Sequence, residues 1–168
     1  MKTDMMEAAR AFRWLFTLLL GLLALHALAA PASGNDLPSA VDLHLEADLA
    51  KKTASPLIVI FSRPDCKYCK AVKRDYLKPL ISDPRYRGVV IRQVDQDSAA
   101  PLIDFRGKLT TQARFASAEK VKLVPVVAFY GPDGKRLVEP IVGARLADFY
   151  QTYLEDSIEK STAALKAR

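Results

Sequence analysis

Residues 57–70 read LIVIFSRPDCKYCK, and this stretch decides the fold. Its first five residues are short, apolar and rich in β-branched side chains, which predicts a strand buried on both faces. From Cys66 onward the pattern predicts a helix, which Pro79 should end or kink. The apolar residues of that helix recur at helical spacing, at Cys69, Val72, Tyr76 and Leu80. The stretch therefore predicts a buried strand, a short turn and a helix that opens with two cysteines.

The sequence on either side predicts the remaining elements. The pattern indicates helices at residues 39–52, 110–119 and 146–158, and strands at residues 89–94, 126–130 and 136–142. Residues 96–109 are predicted to form a loop, and GPDG at residues 131–134 suits the type I turn of a β-hairpin. Helices that alternate with buried strands predict an α/β domain at residues 39–158. Its central mixed sheet would have four to five strands, with helices on both faces.

The first predicted helix carries a capping signature. Ser39 is the expected N-cap, and Asp42 stands three residues later as its capping-box partner. Val41, Leu45 and Leu49 repeat every four residues, which predicts an amphipathic helix.

Cys66 and Cys69 carry the chemistry that the sequence suggests. A helix N-terminus offers unpaired backbone N–H groups and the positive end of the helix dipole, and both stabilise a thiolate. Cys66 is expected at the very start, partly exposed, and Cys69 one turn later, shielded by the protein. Arg63 and Lys67 add positive charge nearby. This arrangement predicts one attacking and one resolving sulfur within closing distance of each other.

Other uses of the two cysteines fit less well. A metal site needs four ligands, or three and a water, and the chain has two cysteines and two histidines. Haem attachment requires a histidine directly after the second cysteine, where Lys70 stands. A disulfide that closes so short a loop adds little stability. Redox chemistry is the favoured interpretation, with a passive disulfide as the alternative, and no metal or cofactor is expected besides the disulfide.

Both ends of the chain are predicted to lie outside the domain. Residues 1–29 have a positive start, an uncharged apolar stretch and an A-x-A exit, the three parts of a secretory signal peptide. Cleavage is expected after Ala29, with Ala32 as the second choice and an uncleaved membrane anchor as the rival interpretation. Residues 30–38 are predicted to be a flexible leader, and residues 159–168 a solvated extension. An exported cysteine pair is either a disulfide or a redox couple.

Four segments of the chain resemble the thioredoxin superfamily. They are PDCKYCK at residues 64–70, DFRGK at 104–108, LVPVVAFYGPDGK at 123–135 and IVGA at 141–144. The resemblance covers residues 57–156 and is greatest to bacterial periplasmic thioredoxin-like proteins, which include disulfide-isomerase catalytic domains and thioredoxins associated with sulfur oxidation. It implies a thioredoxin fold and a periplasmic thiol-disulfide oxidoreductase. The expected partners are exported protein thiols or disulfides and a membrane or periplasmic electron-donor protein. The net charge of +6 is spread along the chain and does not indicate a nucleic-acid partner, and a monomer is expected.

The resemblance also implies a role for each site residue. Cys66 corresponds to the nucleophile and Cys69 to the resolving cysteine. The Val124–Pro125 bond is implied to be cis and packed against the pair, with the Val124 backbone holding the substrate chain. Tyr68 is a candidate for shaping the substrate groove, or else an exposed aromatic without a role.

Two positions depart from the family pattern. Asp65 stands where ordinary thioredoxins have an aromatic residue before the first cysteine. The family's buried acid, six residues before that cysteine, falls on Ile60. The usual internal proton acceptor for the resolving thiol is therefore absent from its family position.

The direction of exchange has three interpretations. A stabilised Cys66 thiolate favours the reduced form, which makes the disulfide a better oxidant. The resemblance instead suggests a reductase supplied with electrons across the membrane, which is the interpretation preferred here. An isomerase is least favoured, because residues 30–56 leave no room for the separate dimerisation domain of that group. The alternative from a different class is a binding module that keeps the fold as a scaffold.

Overall fold

The strand predicted from LIVIF lies inside the sheet of the computed structural model, which describes residues 37–144 and 147–167. Four strands form this sheet, and they are β1 (Leu57–Ser62), β2 (Val90–Asp95), β5 (Val126–Tyr130) and β6 (Ile141–Val142). β1 pairs with β2 in parallel and with β5 antiparallel, and β6 extends the sheet beyond β5, so the strand order is β2-β1-β5-β6. The predicted mixed sheet of an α/β fold is confirmed.

Five α-helices accompany the strands within the described part of the chain. They are α1 (Leu43–Lys52), α2 (Lys67–Val72), α3 (Lys78–Ser82), α4 (Gln112–Ala118) and α5 (Ala147–Lys166). A π turn (Lys73–Leu77) joins α2 to α3, and a short 3₁₀ turn (Pro84–Tyr86) follows α3. None of the helices described in residues 37–144 and 147–167 is both long and apolar enough to cross a bilayer.

The alternation of side chains along β1 builds two cores, one on each face of the sheet. Val59 and Phe61 point to the first face, which α1 and α4 cover. Ile58 and Ile60 point to the second face, which α2, α3 and α5 cover. All six residues of β1 are buried, as predicted for a strand covered on both faces. Each such apolar side chain contributes about 1.5–3 kcal/mol by leaving water, so β1 anchors both cores.

The expected start and apolar face of the first helix are wrong. Asp42, and not Ser39, is the N-cap of α1, and its carboxylate accepts a hydrogen bond from the Leu45 N–H at 2.9 Å. Ser39 instead forms an isolated parallel bridge with Gln93 at the outer edge of β2. The face of α1 that packs on the sheet consists of Leu43, Ala47 and Ala50, whereas the stripe of Val41, Leu45 and Leu49 is exposed. Small alanines let α1 lie close to the sheet, and their modest hydrophobicity hid this face in the sequence.

Pro79 does not end the helix that carries the cysteines. The Lys78 N–H bonds to the Lys73 carbonyl, five residues back, which is the hydrogen bond of a π turn. The extra residue in this wider turn places Pro79 in the first turn of α3, where its missing N–H is tolerated. The helix therefore continues to Ser82.

The predicted loop at residues 96–109 and the predicted strand at residues 136–142 both differ from the structure. β3 (Pro101–Ile103) pairs with β4 (Leu109–Thr111) as a separate two-stranded hairpin. The carboxylate of Asp104 closes its turn by accepting hydrogen bonds from two backbone N–H groups. Residues 131–134 form the predicted turn, but Pro140 has no N–H to give to a ladder, and regular pairing resumes only at β6.

Both predicted ends of the domain need correction. Leu37 is only 4 % exposed and belongs to the second core, so it is not part of the flexible leader predicted at residues 30–38, of which residues 30–36 lie outside the described residues. At the other end α5 continues to Lys166 and Ser161 is fully buried, so the solvated extension does not begin at residue 159. The predicted signal peptide at residues 1–29 lies outside the described residues.

Candidate active site

The two cysteines lie at the junction between β1 and α2, in the connecting turn and the first turn of the helix. β1 ends at Ser62, a turn closes with a hydrogen bond from the Cys66 N–H to the Arg63 carbonyl, and α2 begins at the next residue. Cys66 and Cys69 form a disulfide across one helical turn, with 5.3 Å between their Cα atoms. A buried strand that feeds directly into a helix thus fixes the position of the pair.

The two sulfurs have different surroundings. Cys66 is half-buried and acts as the N-cap of α2, where its Sγ accepts a hydrogen bond from the Cys69 N–H at 3.1 Å. Cys69 is completely buried. In the disulfide form, one sulfur is therefore accessible to a partner molecule and the other is shielded, which is the asymmetry that the sequence predicts. A helix N-terminus that already donates to Cys66 Sγ also favours a thiolate there.

The charged residues near the pair have partners of their own. The Arg63 guanidinium lies 3.1 Å from an Asp65 carboxylate oxygen and 3.4 Å from one of Asp97. Two carboxylates thus share its charge, and its effect on the Cys66 thiolate stays a prediction. The Lys67 ammonium lies 5.0 Å from the centre of the Tyr68 ring, in cation–π range. Its predicted influence on the thiolate likewise stays a prediction.

An open groove with a volume of about 600 Å³ includes Tyr68 among its lining residues, and Tyr68 is one of the two residues between the cysteines in the chain. The groove is lined by Tyr68, Leu123, Val124, Pro125, Val142, Gly143 and Ala144. The structure therefore brings together the three residues predicted to bind substrate, which are Tyr68, Val124 and Pro125.

Sequence reasoning did not predict four of the residues that line the groove, which are Leu123, Val142, Gly143 and Ala144. Leu123 and Val142 are large apolar side chains that are more than half exposed, as Tyr68 is. They stand just before β5 and at the end of β6, two strands that run antiparallel. Apolar residues at the ends of paired strands were the available signal, but only the strand pairing shows that they meet.

The backbone at Val124 is open to a ligand. The Val124–Pro125 peptide bond is cis, and the Pro125 carbonyl accepts a hydrogen bond from the Gly143 N–H at 2.8 Å. Within residues 37–144 and 147–167, no hydrogen bond reaches the N–H or the C=O of Val124. An extended peptide could therefore pair with this residue.

Metal binding and an internal proton acceptor at residue 60 have no matching side chains among the described residues of the site. Among the described residues, no three His, Cys, Asp or Glu side chains lie close enough to hold a metal ion. Ile60 is fully buried in the second core, so the position of the family's acid is apolar. The functional groups that the site does offer are two sulfurs, a helix N-terminus and a free stretch of backbone.

Comparison with known proteins gives one family match. The family model described as a thioredoxin-like domain matches residues 43–158. No curated protein sequence matches the chain.

The chain is also similar to solved structures. Oxidised mitochondrial thioredoxin 3 from Saccharomyces cerevisiae is 23% identical, with a TM-score of 0.49, over 73% of this chain and 93% of that one. The oxidised C-terminal domain of Neisseria meningitidis DsbD is 15% identical, with a TM-score of 0.46, over 71% and 98% of the two chains. A thioredoxin-fold protein from Helicobacter pylori is 17% identical, with a TM-score of 0.49, over 68% and 84%. The family assignment rests on the family model alone.

Proposed function

Because the chain belongs to the family of thioredoxin-like domains, we propose that it exchanges dithiol for disulfide with exported proteins through Cys66 and Cys69, working as a reductase. The observation that carries this proposal is the asymmetry of the disulfide. Cys66 is half-buried at a helix N-terminus, Cys69 is wholly buried, and the two are already bonded. The shortness of the loop argues against a bond kept only for stability.

The proposed reaction uses each sulfur once. In the reduced protein the Cys66 thiolate attacks one sulfur of a partner disulfide, and the other sulfur of the partner leaves as a thiolate. The Cys69 thiol gives its proton to that leaving thiolate. Cys69 then attacks Cys66 Sγ and releases the second sulfur of the partner. The protein pair ends oxidised, and the partner disulfide is reduced by two electrons.

The groove supplies the proposed binding surface for the partner. Tyr68, Leu123 and Val142 offer exposed apolar contacts, and the unbonded Val124 backbone offers main-chain pairing. An extended segment of polypeptide matches both kinds of contact, because its backbone can pair while its alternate side chains enter the groove. We therefore place an unfolded or loop segment of the partner across Val124.

Location and direction rest on the sequence. The signal-like residues 1–29 support export to the periplasm, either cleaved or as an anchor. The resemblance to periplasmic thioredoxin-like proteins supports a reductase that receives electrons from a membrane or periplasmic protein. We propose a monomer with no cofactor besides the disulfide, and a domain that begins by Leu37 and includes α5 to Lys166.

The midpoint potential of the pair, measured against glutathione, tests the proposal. A value between about −280 and −120 mV lies in the range of known exchange catalysts. A value below about −300 mV is typical of a structural disulfide and would leave the passive binding module as the better interpretation. Titration of the Cys66→Ser variant is the control, because it must show no two-electron couple.

A further inference from the structure

A buried amine lies one helical turn beyond the buried cysteine. Lys73 is only 2 % exposed and begins the π turn. Its backbone N–H bonds to the Cys69 carbonyl, so the two residues stand on the same side of the helix. Side chains spaced this way have Cβ atoms about 5–6 Å apart. Because helical side chains lean toward the N-terminus, the Lys73 stem leans toward the turn that holds Cys69.

β2 holds this amine in place. Lys73 Nζ donates to Gln93 Oε1 at 2.9 Å, and Gln93 Nε2 donates to both carboxylate oxygens of Asp95 at 2.9 and 3.1 Å. Gln93 stands opposite Ile60 in the β1–β2 ladder. A connected set of polar groups therefore crosses the second face of the sheet next to the position where the family's acid is missing.

Ser62 gives a second and independent observation. Its side chain is fully buried, and its Oγ has no hydrogen-bond partner among the described residues. Ile58 and Ile60 point to the second face, so the period of two along β1 places Ser62 on that face as well. It also stands opposite Asp95 in the ladder. A buried hydroxyl without a partner costs free energy in the disulfide form, and its O–H remains available to donate in another state of the site.

We propose that Lys73 and Ser62 stabilise the Cys69 thiolate that forms when the disulfide opens. The inference rests on the proposed function and concerns its resolving step. Before Cys69 can attack Cys66 Sγ, its thiol must pass a proton to the departing partner thiolate and become a buried anion. The Lys73 ammonium lowers the free energy of that anion through its charge, and the Ser62 hydroxyl can donate to it.

The effect of the Lys73 charge on a Cys69 thiolate depends on the other titratable groups on the second face. The titratable groups packed there include Asp95 of β2 and the phenols Tyr76, Tyr86 and Tyr150. Burial raises the pKa of Tyr86 and of Tyr150, which keeps both neutral near pH 7. Removing Lys73 would leave the Asp95 carboxylate on this face, and its negative charge opposes a thiolate.

The two steps of exchange can be timed separately with Ellman's reagent. When the reduced protein meets one equivalent, release of the first thionitrobenzoate reports attack by Cys66. Release of the second reports closure by Cys69. Lys73→Met removes the charge and keeps an apolar stem of similar length. We expect an unchanged first phase, a second phase about tenfold slower at neutral pH, and a pH profile moved upward by about one unit.

Two further variants make the test decisive. Lys70→Met is the matched control, because Lys70 adjoins Cys69 but is exposed, and we expect less than about a twofold change since water screens its charge. Ser62→Ala should slow the second phase about threefold while the protein keeps its stability, since the lost hydroxyl had no partner. A wild-type second phase in Lys73→Met overturns the proposal. If that variant does not fold, a wild-type second phase in Ser62→Ala overturns it. Neither result bears on the midpoint potential, which decides the proposed function.

Discussion

The two faces of the sheet each bury a charged side chain next to β2, and they use it differently. On the first face, Arg92 of β2 forms an ion pair with Glu46 of α1 at 2.6 Å. On the second face, the adjacent Gln93 holds the Lys73 ammonium one helical turn from Cys69. The first pair links α1 to β2 within the core and serves stability. We propose that the second group, the Lys73 ammonium one helical turn from Cys69, serves the chemistry of the cysteine pair.

Substitution of each cysteine by serine is the most severe test of the proposed chemistry. Cys66→Ser should abolish exchange, because the attacking sulfur is gone, whereas Cys69→Ser should accumulate mixed disulfides that cannot resolve. Both variants are expressed in an exporting host and compared on non-reducing gels. Adducts sensitive to dithiothreitol are expected with Cys69→Ser and absent with Cys66→Ser.

The two cysteine variants serve as controls for each other. They lose the same disulfide and differ only in which sulfur remains. Equal trapping by both, or trapping by neither, would contradict the assignment of Cys66 as the attacking sulfur and would favour a passive disulfide.

Breaking the ion pair on the first face should change stability and leave chemistry alone. Arg92→Met removes the cation and leaves the buried Glu46 carboxylate without its charged partner, which should cost about 2–3 kcal/mol at neutral pH. Urea unfolding measures this loss. The rates of both phases of the reaction with Ellman's reagent should match the wild type under conditions in which the variant is folded. A slower second phase would contradict the assignment of this ion pair to stability alone.

The groove lined by Tyr68, Leu123 and Val124 should affect partner binding more than chemistry. Tyr68→Ala and Leu123→Ser each remove an exposed apolar contact, and each should weaken peptide binding about three- to tenfold. The matched control is Leu109→Ser, because Leu109 is equally exposed but belongs to β4 and does not line the groove. A disulfide-bonded peptide substrate separates the effects, since KM should rise while the rate at saturation stays the same. Equal losses in all three variants would mean that the groove is not the binding surface.

The smallest expected effect is a pH dependence on the first face. Burial raises the pKa of Glu46, although the hydrogen bond from Arg92 opposes this shift. The folded protein therefore holds this proton at pH values where the unfolded chain has released it. Consequently the contribution of Glu46 to stability falls as the pH rises from the ordinary glutamate range through the raised pKa.

Glu46→Gln isolates this contribution. The difference in unfolding free energy between wild type and variant should shift against the wild type as the pH rises from the ordinary glutamate range through the raised pKa. Every other titrating group is common to both proteins and cancels. A difference that stays constant with pH, or that shifts in favour of the wild type, would contradict the raised pKa.

Local patterns predicted the parts of the molecule that depend on neighbours in the chain. The run LIVIF predicted β1, and the spacing after Cys66 predicted the helix on which the disulfide lies. The turn at residues 131–134 followed from its proline and glycines. The exposure of Cys66 and the burial of Cys69 followed from their places on the first helical turn. These features are local because a strand or a helix presents its side chains at a fixed period.

Other features depended on what packs against each element. Val41, Leu45 and Leu49 have a helical period, yet α1 buries Leu43, Ala47 and Ala50 instead, because those residues face the sheet. Lys73 looks in the sequence like one more solvated lysine of a helix, and its hydrogen bond to Gln93 on β2 appears only in the folded structure.

The sequence by itself determined that this chain forms an α/β sheet with a redox-capable pair at the start of a helix. Its periodicities and its cysteine spacing are properties of short segments. The tertiary structure alone decided that Leu123 and Val142 join Tyr68 in one groove, and that Lys73, one helical turn from Cys69, is buried against Gln93 of β2. Strands distant in the chain bring these groups together. A side chain's burial and partners depend on what folds against it, and a linear pattern does not record that.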